Sequence, residues 1–318
     1  MPSEPYLLRL AARLGRGLER MPAGRRERHR EFIMSQQMPD GGFSGRDGQS
    51  DLYYTSFAVR GLAVLGGLTP EQAESVCQYV RARSQDSMHV IDRISWLYTA
   101  LVVLSAGRTD VFDDAGENWE DRIVEQMERV RTKDGGYAKS EDGSAGSTYH
   151  SFLVTLSYEL LGRELPDPEG LVRFLYDRQR DDGGFVEIAP MKRSGTNPTA
   201  AAVAILRMFD RIDDELRDDV RCFLQEVHSP EGGFQANTRI PFADGLSTFT
   251  GLLTAQDLRL TDVCDPDCLE RFVTDPEEGL ELPTGGFRGA GWDEQADVEY
   301  TFYGLGVLGL LWSDEGRE

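Results

Sequence analysis

The sequence predicts an all-α fold of six helix pairs arranged as an (α/α)6 toroid, and three observations predict it. First, a Gly-Gly-aromatic triplet recurs at Gly41-Gly42-Phe43, Gly135-Gly136-Tyr137, Gly183-Gly184-Phe185, Gly232-Gly233-Phe234 and Gly285-Gly286-Phe287. The last four are spaced by 48, 49 and 53 residues, and the first gap of 94 is twice 47. Second, an amphipathic segment precedes each triplet, and a segment apolar on all sides follows it after a short loop. Third, the period-two alternation of a half-buried strand is absent. Helices apolar all round must be buried and amphipathic ones lie outside them. Pairs repeating at a fixed period can therefore close on themselves without capping repeats.

The elements follow in order. Residues 6–20 carry Leu7, Leu10, Leu14 and Leu18 on one helical stripe and Arg9, Arg13, Arg16 and Arg20 on another. We expect residues 1–22 to form an amphipathic helix ahead of a single barrel over residues 23–318. That helix suits packing on the fold or contact with an anionic membrane surface, and its arginines exclude a secretory signal. Outer helices are exemplified by residues 168–179. Inner helices align without gaps on Thr55-Ser56-Phe57, Ile94-Ser95-Trp96, His150-Ser151-Phe152, Thr199-Ala200-Ala201, Thr248-Phe249-Thr250 and Thr301-Phe302-Tyr303. The second repeat lacks its glycines, and its turn falls on Asp86-Ser87-Met88-His89. In the other turns glycine accepts a positive φ after a helix end, and the aromatic packs between helices.

Composition narrows the function. Lys+Arg number 34 against 55 Asp+Glu, a formal charge of −21, so nucleic acid phosphates would be repelled. Hydrophobic residues make up 40% of the chain, which is enough for a full core and too many for a disordered acidic segment. No run of 18 apolar residues suggests a membrane span. Cys77, Cys222, Cys264 and Cys268 form no disulfide framework, so a reducing cytoplasm is the expected compartment.

Six repeats of this length, with inner openings such as Asp297-Val298-Glu299-Tyr300-Thr301-Phe302, resemble the β subunits of protein prenyltransferases, particularly the Rab geranylgeranyltransferase type. A weaker similarity extends to squalene and hopene cyclases, through Gln179 and Gly183-Gly184-Phe185, but their DxDD acid motif and second barrel are absent. The resemblance implies a catalytic zinc held by Asp and Cys of a DxC at the fifth inner helix and a His at the sixth. Here the Asp is Asp244, the Cys position is Leu246 and the His position is Tyr300, so the zinc site is not intact. A neighbouring Tyr of the family becomes Ser247, and a diphosphate-contacting His falls near Arg193. Asp262-Val263-Cys264 also spells DxC, but it lies 18 residues beyond Asp244, about 27 Å along a helix.

Counting each inner helix from its first aligned position places Asp51, Val90, Gly146, Gly195, Asp244 and Asp297 at the loop end. Asp51, Asp244 and Asp297 are expected as helix caps, as an oxygen-only site for Mg²⁺ or a group with one carboxyl kept protonated by its neighbours, or as both together. One turn deeper come Tyr54, Arg93, Tyr149, Ser247 and Tyr300, then Thr55, His150, Thr199, Thr248 and Thr301. His150, Asp244, Asp297 and Tyr300 are the catalytic candidates. Arg193, Arg239 and Arg288, with Tyr54 and Tyr149, are candidates for binding substrate and diphosphate. The expected function is a divergent prenyltransferase-like protein acting on an isoprenoid, a prenyl diphosphate, in the centre of the barrel. A small terpene cyclase and a non-catalytic barrel binding a lipid or a protein are the alternatives. An α-subunit-like protein partner would be expected by resemblance alone.

Overall fold

The computed structural model describes residues 4–84, 88–106 and 111–313. Asp86 and Ser87, half of the turn expected in the second repeat, lie outside the described residues. Among those described, thirteen α-helices follow one another: α1 (Tyr6–Leu18), α2 (Ala23–Ser35), α3 (Leu52–Val64), α4 (Pro70–Arg81), α5 (Val90–Ser105), α6 (Trp119–Arg129), α7 (Thr148–Leu160), α8 (Pro168–Tyr176), α9 (Thr196–Met208), α10 (Asp214–Glu226), α11 (Gly245–Asp257), α12 (Pro266–Thr274) and α13 (Val298–Trp312). The odd-numbered helices from α3 onward are the predicted inner set, and the even-numbered ones are the outer set. A two-residue ladder, β1 (Phe287–Arg288) against β2 (Ala296–Asp297), is antiparallel and pairs Phe287 with Asp297. It closes the loop of the sixth repeat, a local pairing too short to show as alternation in the sequence.

The chain divides into two compact units, one of residues 1–125 with 280–318 and one of residues 126–279. In the first, α3 packs between α5 and α13, and α2 packs on α3 and α13. The sixth repeat thus lies against the first. Helix α1 packs on α13 and α3, and Gly17 lets the backbones meet, since a Cβ there would stand 2.0 Å from the Gly309 carbonyl oxygen. Its buried stripe is Tyr6, Arg13, Leu14, Gly17 and Leu18. Arg13, expected on the outward basic stripe, is instead buried and donates to the Ser313 hydroxyl at 3.3 Å. The apolar face of α1 is spent on its own unit. In the second unit α9 packs between α7 and α11.

The repeat rests on a device visible in five copies. The aromatic of each triplet, Phe43, Tyr137, Phe185, Phe234 or Phe287, is fully buried. Its N–H donates to a hydroxyl one turn into the next inner helix: Thr55, Ser151, Thr199, Thr248 and Thr301, at 2.9–3.1 Å. The hydroxyl satisfies a buried backbone donor that no helix ladder can reach. Gly135 takes φ +93°, and a Cβ on Gly136 would stand 2.5 Å from the Phe174 ring of α8. The next outer helix thus covers the turn with an aromatic. Phe32 of α2 does the same for Gly286.

This device corrects the gapless alignment. In the third repeat the seated hydroxyl belongs to Ser151 and not to His150, so the loop is one residue longer than the alignment allowed. The cap of α7 is therefore Ser147 and not Gly146, and the cap of α5 is His89 and not Val90. His150 moves up into the layer of Tyr54, Ser247 and Tyr300.

Candidate functional site

Two clusters of polar side chains stand at the inner-helix N-termini, one in each unit. In the first unit, Asp51 and Asp297 cap α3 and α13, accepting from the Tyr54 N–H at 2.7 Å and the Tyr300 N–H at 2.8 Å. A cap with a carboxylate satisfies an orphan donor and opposes the positive helix end. Asp297 is 5% exposed, and burial raises its pKa against the opposing pull of the Tyr300 N–H and Arg46. Arg46 donates to Asp297 at 3.0 Å and to Asp293 at 2.5 Å, and its guanidinium lies 5.9 Å from the centre of the Tyr300 ring. Arg288 reaches the Asp293 carbonyl at 3.3 Å, which ties it to the same loop.

Glu299, one position before Tyr300, was not singled out by the sequence. Tyr53 of α3 donates to it at 2.6 Å across 246 residues of chain. Burial pushes the Glu299 carboxyl up to about 7; the Tyr53 hydrogen bond opposes this, and the charges of Asp297 and Asp51 add to it. Only the period-four offset from the aromatic face of α13 hinted that Glu299 points the same way as Tyr303. The same environment raises the Tyr54 phenol, chiefly by burial and then by the negative charge of Glu299. Tyr53 in turn stands edge-on to Phe57 at 4.9 Å, and Phe57 meets Tyr303 at 5.3 Å. A carboxyl that burial pushes up to about 7 thus borders an aromatic surface.

In the second unit, Ser147 caps α7 through the His150 N–H at 3.1 Å. Its hydroxyl donates to Glu187, whose other oxygen accepts the Tyr149 N–H at 3.3 Å. The Ser147 Oγ also lies 2.7 Å from His150 Nδ1, and His150 Nε2 is buried without a hydrogen-bond partner. Burial, assisted by the charge of Lys139, pushes the His150 pKa down to about 4, so the ring is neutral at physiological pH. Burial raises the Glu187 carboxyl.

Asp244 caps α11 through the Ser247 N–H at 2.7 Å and also accepts from the Ser247 hydroxyl at 2.8 Å; burial raises its pKa. Arg193 donates to the Thr238 hydroxyl at 2.5 Å, beside Arg239, whose side chain is exposed. The structure thus groups Asp51, Tyr54, Asp297, Tyr300 and Arg288 in the first unit. Tyr149 stands with His150 in the second, where Arg193 also comes near Arg239. Asp244 belongs to the second unit. Among the described residues, no group of three or more His, Cys, Asp or Glu side chains is arranged to hold a metal ion. Asp51, Asp244 and Asp297 each act as the cap of their own helix.

A prenyltransferase alpha-alpha toroid domain matches residues 6–90 and 82–317. The chain belongs to the prenyltransferase α/α-toroid family. Its fold is therefore the toroid of helix pairs that the repeats predict. Solved structures agree on the fold. A Candida albicans protein geranylgeranyltransferase-I complexed with GGPP is 14% identical with TM-score 0.68, covering 90% of this chain and 90% of that one. A variant of the type II terpene cyclase MstE from Scytonema, in complex with geranylgeranyl dihydroxybenzoate, is 13% identical with TM-score 0.61, covering 96% and 98%. An α-1,6-mannanase from a Salegentibacter species is 14% identical with TM-score 0.59, covering 90% and 98%. No curated protein matches the sequence. At such identities the toroid is shared while the chemistry differs from protein to protein. Among the described residues, no helix is long and apolar enough to cross a membrane.

Proposed function

We propose that this toroid protein is an isoprenoid-converting enzyme that works by proton transfer from Glu299, without the zinc chemistry of the protein prenyltransferases. The donor set at the three zinc positions, Asp244, Leu246 and Tyr300, offers one carboxylate, an alkyl chain and a phenol, which does not fit a zinc centre that binds a thiolate. The observation that carries the reading is the Glu299 carboxyl, pushed up to about 7 beside the rings of Tyr53, Phe57 and Tyr303. Burial keeps an acid protonated near neutral pH so that it can give its proton to a substrate. The surrounding rings suit an isoprenoid chain and any positive charge that develops on it.

The same cluster weighs against loss of diphosphate at this spot. Asp51, Asp297 and Glu299 concentrate negative charge, and Arg46 is committed to Asp293 and Asp297. An incoming diphosphate would be repelled, whereas proton transfer from Glu299 to a C=C bond forms a C–H bond and a carbocation beside the new carboxylate, and later loss of a proton from the chain to that carboxylate forms a new C=C bond and restores the acid. Two neighbours in fold, the geranylgeranyltransferase and the terpene cyclase, are complexed with geranylgeranyl ligands, which supports an isoprenoid for this chain as well. The test is to incubate the protein with farnesyl and geranylgeranyl alcohols, acids and diphosphates in D₂O. Proton-initiated conversion puts deuterium on carbon, releases no pyrophosphate and is lost in Glu299→Gln. Release of pyrophosphate by a Glu299→Gln variant as active as wild type would refute the reading.

A further inference from the structure

Among the described residues, Arg60 has no carboxylate partner. It lies on α3, seven residues after Tyr53 and three after Phe57, on the least buried stripe of an otherwise buried helix. Its guanidinium carbon stands 5.3 Å from the centre of the Phe57 ring and 4.6 Å from that of Tyr98 on α5. Its Nε is buried without a hydrogen-bond partner. Among the described residues no carboxylate pairs with it, in a chain of 55 acidic and 34 basic residues. Other arginines of the unit are committed: Arg46 to Asp293 and Asp297, Arg25 to Glu281, and Arg30 to the Gly67 carbonyl.

Arg60 is half-buried, and the two aromatic rings face its guanidinium without supplying a charged acceptor for its N–H donors. A planar fork of N–H donors is also shaped for an oxyanion, to which it donates two parallel hydrogen bonds. We infer that Arg60 binds the anionic group of the ligand, a carboxylate or a diphosphate, at the far end of the aromatic stripe from Glu299. Tyr53 marks the near end through its bond to Glu299, and seven helical residues separate it from Arg60, about 10 Å of axis. Phe57 and Tyr303 line the interval. The site therefore fits an amphiphile whose anionic head is held at Arg60 while an apolar segment about 10 Å away meets Glu299. This deepens the isoprenoid reading and rests on it for the identity of the apolar part. It also assigns the anion to Arg60 in place of the loop residues Arg193 and Arg239.

The test is calorimetric titration of the full chain with geranylgeranoic acid, geranylgeranyl diphosphate, geranylgeraniol and dodecanoate. Wild type, Arg60→Met, Arg60→Lys and Glu299→Gln are compared, with melting temperatures as a folding control. Loss of charge-assisted hydrogen bonds corresponds to about a tenfold or greater fall in affinity. We expect that fall for every anionic probe in Arg60→Met, an intermediate fall in Arg60→Lys, and an unchanged affinity for the alcohol. The acid and the diphosphate separate carboxylate from phosphate recognition by which of them binds more tightly. Equal binding by wild type and Arg60→Met, a parallel loss of the alcohol, or wild type that binds none of the anions would each overturn the inference. Should Arg60→Met not fold, Arg60→Lys decides on the same criteria. Dodecanoate separates the two readings: if it depends on Arg60 while no geranylgeranyl compound binds, the anion site stands and the isoprenoid reading fails. Glu299→Gln removes a negative charge beside the aromatic stripe and should bind the anionic probes no more weakly than wild type, while a failure of the proton-transfer reading appears in turnover.

Discussion

Replacing Glu299 by Gln should stabilise the protein in alkaline solution and leave it unchanged in acid. The carboxyl has an ordinary value of 4.5 and stands at about 7 in the folded chain. A raised carboxyl pKa costs nothing below pH 4.5, where the group is neutral folded and unfolded, and costs most above 7, where the folded protein must bury the charge. At 1.36 kcal/mol for each tenfold change, the full difference is about 3 kcal/mol. Partial exposure of the side chain trims this to about 2 kcal/mol. Gln is isosteric, keeps the acceptor for Tyr53 and carries no charge. With an unfolding entropy of about 2 cal/mol/K per residue over the chain, the variant should melt about 3 °C above wild type at pH 8.5. At pH 4 the two should coincide. Thermal unfolding followed by circular dichroism across this range is the assay. A melting difference that stays constant from pH 4 to pH 8.5, or one that favours wild type in alkali, would refute the burial argument and with it the protonated state on which the proposed chemistry depends.

Further outcomes follow from single contacts. Tyr53→Phe removes a hydrogen bond that favours the ionised form, so ¹³C chemical shifts of the Glu299 carboxyl should titrate at higher pH than in wild type. Gly17→Ala drives a Cβ into the Gly309 carbonyl and should destabilise the docking of α1 by about 2 kcal/mol in denaturant unfolding. Gly15→Ala, whose Cβ would meet only the Val64 carbonyl at 3.9 Å, should not destabilise it. Ser147→Ala breaks the link between His150 and Glu187 and removes a helix cap, which should cost about 1 kcal/mol by the same measurement. Elemental analysis of protein purified without added metal should find less than one zinc per chain, given the side chains of Leu246 and Tyr300; a full equivalent would contradict this.

The repeat could be read directly from the chain. Glycines that need a positive φ, aromatics that fill the interval between helices and helices apolar on every side are local requirements, so they leave a period in the sequence at positions such as Gly183-Gly184-Phe185. The caps were legible for the same reason, because Asp51, Asp244 and Asp297 act within three residues of themselves. The register of the third repeat was not. Both His150 and Ser151 offer a polar group, and only the reach of the Tyr137 N–H across the loop decides that Ser151 fills the seat. Folding alone also turned Arg13 inward, because what α1 buries depends on α13, nearly 300 residues away. Glu299 shows the limit most clearly. As a residue in a helix it is an ordinary glutamate, and its raised pKa comes from burial, opposed by the Tyr53 hydrogen bond and assisted by the charges of Asp297 and Asp51, all of which depend on the packing of α3 on α13. Arg60 likewise gains its character from Tyr98 on another helix and from the carboxylates that are not beside it. Periodicity is a property of the chain and survives in the sequence, whereas desolvation and charge coupling depend on distances that exist only once the helices have packed.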